Sequence, residues 1–94
     1  MKADSIVLQI EDGKHVFLSL VRDCSRALGM GEPIVNWAME YDRSATNYVA
    51  FLFFQSRTER LKFDGNDLAA LSKNPALQQQ VNAKILQALE TKPH

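Results

Sequence analysis

The sequence predicts an α+β domain: a mainly antiparallel sheet of three or four strands, with helices packed mainly on one of its faces. Three observations carry that expectation. Apolar residues recur at three- and four-residue spacing over residues 16 to 28 and 77 to 89, the period of a helix with one buried stripe. Between those segments the period falls to two, and one run, Tyr48 to Phe54, is apolar at every position. Turn-forming residues break that region at 42 to 47 and 55 to 57, so consecutive strands are joined as antiparallel hairpins.

Residues 5 to 10 alternate in part, with Ile6, Leu8 and Ile10 on one side and Val7 interrupting the other, as in an edge strand. Asp12-Gly13 then admits two readings. One is a hairpin turn leading into residues 14 to 20; the other is a helix start with Asp12 as N-cap. The helical period is the better satisfied. Val16, Phe17, Leu20, Val21, Cys24, Ala27 and Leu28 lie on one stripe, Arg22, Asp23, Ser25 and Arg26 lie off it, and only Leu18 dissents. A helix over 14 to 28 follows, stopped by Gly29.

Gly31-Glu32-Pro33 breaks the chain, since proline lacks an amide donor and biases the residue before it away from helix. From Ile34, the residues Val35, Trp37, Met39 and Tyr41 form one face of a strand and Asn36, Ala38 and Glu40 the other. The aromatic run 48 to 54 is the expected central strand, and Thr58 to Phe63 a third, ended by Asp64-Gly65-Asn66. Asp67 to Leu71 reads as a short helix. Asn74-Pro75 opens a longer one to about Glu90, carried by Leu77, Val81, Ile85, Ala88 and Leu89, and the tail 91 to 94 is expected to fray.

These strands constrain one another, because directly opposed residues in an antiparallel pair share a face. With Asp42 opposite Asn47, Tyr41 meets Tyr48, Met39 meets Ala50, Trp37 meets Leu52 and Val35 meets Phe54. With Gln55 opposite Thr58, Leu52 meets Leu61, Ala50 meets Phe63, and Glu59 falls opposite Phe54 near the sheet end, within reach of water. The Trp37 side is then a continuous apolar face. The reverse carries Asn36, Ala38 and Glu40, then Val49, Phe51, Phe53 and Gln55, then Thr58, Arg60 and Lys62. Burying two phenylalanines is worth about 3 to 6 kcal/mol, so this middle row requires cover. The N-terminal strand and helix, a second copy of the sheet, or a partner or ligand would each supply it.

Length and composition bound the functional classes. Ninety-four residues with 46% hydrophobic and 23% charged side chains fit one folded domain spanning 1 to 94 rather than a disordered chain. Eleven basic and eleven acidic residues cancel, so no global field favours a nucleic acid or a membrane surface. The single cysteine cannot form an internal disulfide, which points to a reducing, cytoplasmic setting. Ile6-Val7-Leu8 is too short for a signal-peptide core, and no run approaches the length of a membrane span.

Catalytic chemistry finds little to stand on. Cys24 lies on the apolar stripe, where a thiol packs as a small hydrophobe. One cysteine and one internal histidine, His15, make no metal-ligand cluster, no phosphate-cradling glycine loop is present, and no cofactor is implied. The carboxylates Glu40 and Asp42, or Asp64 and Asp67, sit at strand ends and turns, where local hydrogen bonding accounts for them. The order helix, three strands, helix over 14 to 90 is similar to the double-stranded-RNA-binding domain in topology. That family opens its last helix with Lys-Lys-x-Ala-Lys and carries Gly-Pro-x-His in a loop. Here the matching stretches are Asn74-Pro75-Ala76-Leu77-Gln78 and Arg43-Ser44-Ala45-Thr46, so the resemblance is one of element order and brings no function with it.

The expected function is therefore a non-catalytic binding or protein-interaction domain, a homodimer or other oligomer formed through the sheet face of Val49, Phe51 and Phe53, with Arg60 beside them. A small-molecule binder or minor enzyme with Tyr41, Tyr48 and His15 lining a pocket between helices and sheet is the second reading. Weak nucleic-acid binding through Arg57, Arg60 and Lys62 is the third.

Overall fold

The computed structural model describes residues 2–43 and 45–90, with side chains for 6–41, 43 and 46–90. The expected fraying of the tail 91 to 94 lies outside the described residues. In chain order the elements are α1 (Lys2–Ala27), β1 (Ile34–Asp42), β2 (Ala45–Phe53), β3 (Thr58–Asp64), α2 (Gly65–Ala70), one 3-10 turn (Leu71–Lys73) and α3 (Pro75–Glu90). The strands form one antiparallel sheet in the order β1-β2-β3, so the aromatic strand is central and the α+β class holds.

The N-terminal strand does not exist. Residues 5 to 10 are the opening turns of α1, a single helix of 26 residues and about 39 Å. Asp12-Gly13 is neither a hairpin turn nor a helix start but mid-helix, and residues 14 to 20 are helical. Gly13 serves helix packing: a Cβ there would lie 1.9 Å from the Leu68 carbonyl oxygen, so glycine lets α1 and α2 approach backbone to backbone. Seen this way, the buried stripe begins earlier, at Ile10, and runs through Gly13, Phe17, Val21 and Cys24. Ser25, read as lying off that stripe, is 1% exposed. The helix stops as expected at Gly29, whose φ of 70° is open to glycine without strain, with Met30 N–H donating to Ser25 O at 2.8 Å and Gly29 N–H to Arg26 O at 3.1 Å.

Both hairpins close in a register two residues from the expected one. Asp42 pairs with Ala45, Met39 with Tyr48, Trp37 with Ala50 and Val35 with Leu52, while Ala50 pairs with Leu61 and Tyr48 with Phe63. Arg43, at φ 58°, takes the left-handed conformation that a two-residue turn requires, so the first loop is tighter than a reading without an Asn-Gly or Asp-Gly signal predicts. The second loop is wider: Phe53 pairs with Thr58, and Phe54 N–H donates to Arg57 O at 2.9 Å. Because the side-chain period is two, a shift of two leaves every residue on its expected face. Glu59 is opposite Leu52 rather than Phe54, and Arg57 rather than water receives its carboxylate.

All the described helices lie on the Trp37 side. The core there joins Phe17, Val21 and Cys24 of α1 to Ala50, Leu52, Leu61 and Phe63 of the sheet, to Leu68 and Leu71, and to Val81, Ile85 and Leu89 of α3. Phe17 is its aromatic centre, edge-on to Trp37 at 5.3 Å and to Phe63 at 5.2 Å. The apolar face is shorter than expected: Met39 and Tyr41, at the far end of β1, are 51% and 75% exposed. Side-chain caps set the later helices, Asp64 accepting from Asn66 N–H at 2.7 Å for α2 and Asn74 from Leu77 N–H at 3.1 Å for α3.

Candidate interaction surface on the open face of the sheet

The reverse face of the sheet has no described element over it. The N-terminal residues expected as possible cover belong to α1, which packs on the opposite side, so two of the three expected sources of cover remain: a second copy, or a partner or ligand.

Four rows cross this face. Ile34, Phe53 and Thr58 form the first; Asn36, Phe51 and Arg60 the second; Ala38, Val49 and Lys62 the third; Glu40, Asn47 and Asp64 the fourth. The face therefore has two halves. In the apolar half Ile34 is 68% and Phe53 40% exposed, and the Phe51 and Phe53 rings stack at 6.3 Å with 18° between their planes. In the charged half, Glu40 on β1 draws Arg60 at 3.5 Å and Lys62 at 4.0 Å from β3 across the central strand. Val49 stands between those partners and is only 1% exposed, so charged side chains shield it from water.

The expected binding residues Val49, Phe51, Phe53 and Arg60 thus share one face, but in unequal roles. Phe51 and Phe53 are the apolar surface, Arg60 belongs to its charged border, and Val49 is already covered. Sequence reasoning missed Ile34, the most exposed apolar member of the patch. Its position two residues before Asn36 gives it the same side of β1, and that parity was available to find it.

The other expected groupings disperse. His15 lines a groove with Glu11, Lys14, Leu18, Val35 and Trp37, whereas Tyr48 lines another, beside Ile6, Met39 and Asp64, and Tyr41 points to solvent. They converge on no common cavity. Arg57 parts from Arg60 and Lys62: its guanidinium turns to the helical side, to Glu59 and to the end of α3. Cys24 is buried, donates its thiol to Asn82 Oδ1 at 3.1 Å, and has its pKa raised from 9.0, first by burial and then by the Asp23 charge, which disfavours the nucleophilic thiolate. Among the described residues no group of three His, Cys, Asp or Glu side chains is placed to hold a metal ion, and no helix is long and apolar enough to cross a membrane.

No protein-family model, curated protein or solved structure matches this chain.

Proposed function

We propose that this chain is a non-catalytic protein-interaction domain, folded as one unit in a reducing, cytoplasmic setting, that associates with a second copy of itself through the open sheet face. One observation carries the reading: every described helix lies on the Trp37 side, while Ile34, Phe51 and Phe53 form an apolar patch on the bare side. Two such patches meeting face to face would bury the phenylalanines, as in aligned sheet packing. The Glu40, Arg60 and Lys62 cluster would then form a polar border that limits how the two sheets slide. The separation of His15, Tyr48 and Tyr41 into different places weighs against the small-molecule reading that needed them in one pocket.

Sedimentation of the purified protein at high micromolar concentration tests this. A dimer that Phe53→Asp and Phe51→Asp each weaken, with unchanged helical content by circular dichroism, is the expected result. Identical association by parent and both variants would remove the sheet face from the reading.

A further inference from the structure

The two edges of the sheet are treated differently. At β3, Lys84 of α3 donates to Lys62 O at 3.5 Å, and Arg57, just before the strand, donates to carbonyls at the end of α3, so α3 is tied to that edge at two places. Among the described residues β1 pairs with β2 alone and offers a nine-residue outer edge with no proline, lysine or bulge along it. Natural sheets seldom leave so long an edge bare, because its free N–H and C=O groups are a template for another strand.

Above that edge lies α1, antiparallel to β1. Ile6 and Ile10 share a groove with Met39, Lys14 Nζ sits 5.5 Å from the Trp37 ring centre, and Leu18 lines a groove with Val35. Leu18 was the one apolar residue to dissent from the core stripe. It belongs instead to a second stripe, Leu8, Glu11, His15 and Leu18, on the side of α1 that overhangs β1.

We propose that β1 pairs antiparallel with β1 of a second copy about a two-fold axis at Ala38, making a six-stranded sheet. This register pairs all nine residues. Trp37 lies opposite Met39, Val35 opposite Tyr41 and Asn36 opposite Glu40 of the other copy, with no charge facing its like. The exposed Met39 and Tyr41 thereby acquire apolar neighbours, Tyr41 entering the groove beside Leu18, Val35 and Trp37. The same axis passes α1 close to Gly13, and antiparallel helices related there place Leu8 against Leu18 and Glu11 against His15. Strand and helix layers are thus self-complementary about one axis, including one pair in which the Glu11 carboxylate, held at 3.5 Å by Lys14 of its own helix, meets an imidazole that can donate to it, and this selects a second copy over an unrelated extended peptide. The edge pairing goes beyond the face-to-face contact, shares none of its patch residues except Ile34, and is compatible with it.

Charge exchange on the surface of α1 tests the pairing without touching the core. Glu11→Lys is expected to weaken association about tenfold in sedimentation equilibrium, His15→Glu likewise, and the double variant to recover it. Oxidised Ala38→Cys is expected to run as a disulfide-linked dimer, since symmetry places that exposed position opposite itself. Phe53→Asp separates the two interfaces. Dimers that persist in Phe53→Asp but fail in Glu11→Lys establish the edge and remove the face; dimers lost in Phe53→Asp but untouched by Glu11→Lys overturn the edge and keep the face. A monomeric parent protein overturns both, and Ala38→Cys remaining a free thiol in a dimeric parent overturns the edge.

Discussion

Arg57 donates to the main-chain carbonyl of Ala88 at 2.8 Å across a separation of 31 residues, and its Nε to Glu59 Oε2 at 2.6 Å. A third bond reaches Leu89 O at 3.3 Å, so one guanidinium joins the start of β3 to the last turn of α3, where carbonyls lack intrahelical partners. Both charged side chains are largely removed from water, at 11% and 22% exposure. Arg57→Ala strands the Glu59 carboxylate and is expected to cost about 2 kcal/mol, below the full figure for a buried pair because Glu59 keeps some solvent. Urea denaturation measures it, with Arg57→Lys recovering only part because an ammonium lacks the planar fork.

Gly13→Ala opposes two effects. Helix propensity alone favours alanine by about 1 kcal/mol in the middle of α1. Yet the added Cβ meets the Leu68 carbonyl, a backbone atom that cannot swing away, and overpacking of this kind costs about 1 to 3 kcal/mol or more. The expected outcome is a lower melting temperature. A rise would mean that α1 and α2 are not seated backbone to backbone.

Phe17 is fully buried between Trp37 and Phe63, and Phe17→Ala is expected to cost about 3 to 5 kcal/mol. Trp37 is the only tryptophan, so its emission reports the same event. The variant should shift to longer wavelength as water enters.

Ser25 is the opposite case, a buried hydroxyl with no hydrogen-bond partner for its Oγ among the described residues. Ser25→Ala removes that unmet demand and adds helix propensity, so it is expected to stabilise by about 1 kcal/mol. Chemical denaturation of the two proteins side by side decides the sign.

Cys24 sets an alkaline limit. Folding raises its pKa, so the folded chain keeps the thiol proton after the unfolded chain has begun to lose it. Stability from this group is complete below the ordinary thiol value of 9.0 and falls as pH rises through that value toward the folded one. Relative to Cys24→Ala, the parent protein should lose stability only above that point. A difference between the two that stays constant into the alkaline range would contradict the burial of the thiol.

The strands and their faces were legible in the sequence because a period of two survives any even error in register. Trp37 and Phe51 were assigned to opposite sides, and so they lie, although Trp37 pairs with Ala50 and not Leu52. The register itself was hidden in the turn: Arg43 adopts a left-handed backbone without glycine or asparagine to announce it. The beginning of α1 was hidden by tertiary structure. Asp12-Gly13 is a strong local turn signal, and it loses because Leu68, far along the chain, needs the space that a side chain at 13 would fill. Likewise Arg57 looked like one member of a basic patch until α3 supplied carbonyls that no local pattern could reveal.

The close approach of Gly13 to Leu68, with the bond from Cys24 to Asn82 over 58 residues, gives the protein an awkward birth. On the ribosome α1 emerges before both the strands and the helices that seat it. The two hairpins close from neighbouring residues as soon as they are free, whereas Phe17 and Val21 wait uncovered through most of synthesis. Nascent chains halted before residue 68 would therefore present a greasy, unseated helix to chaperones.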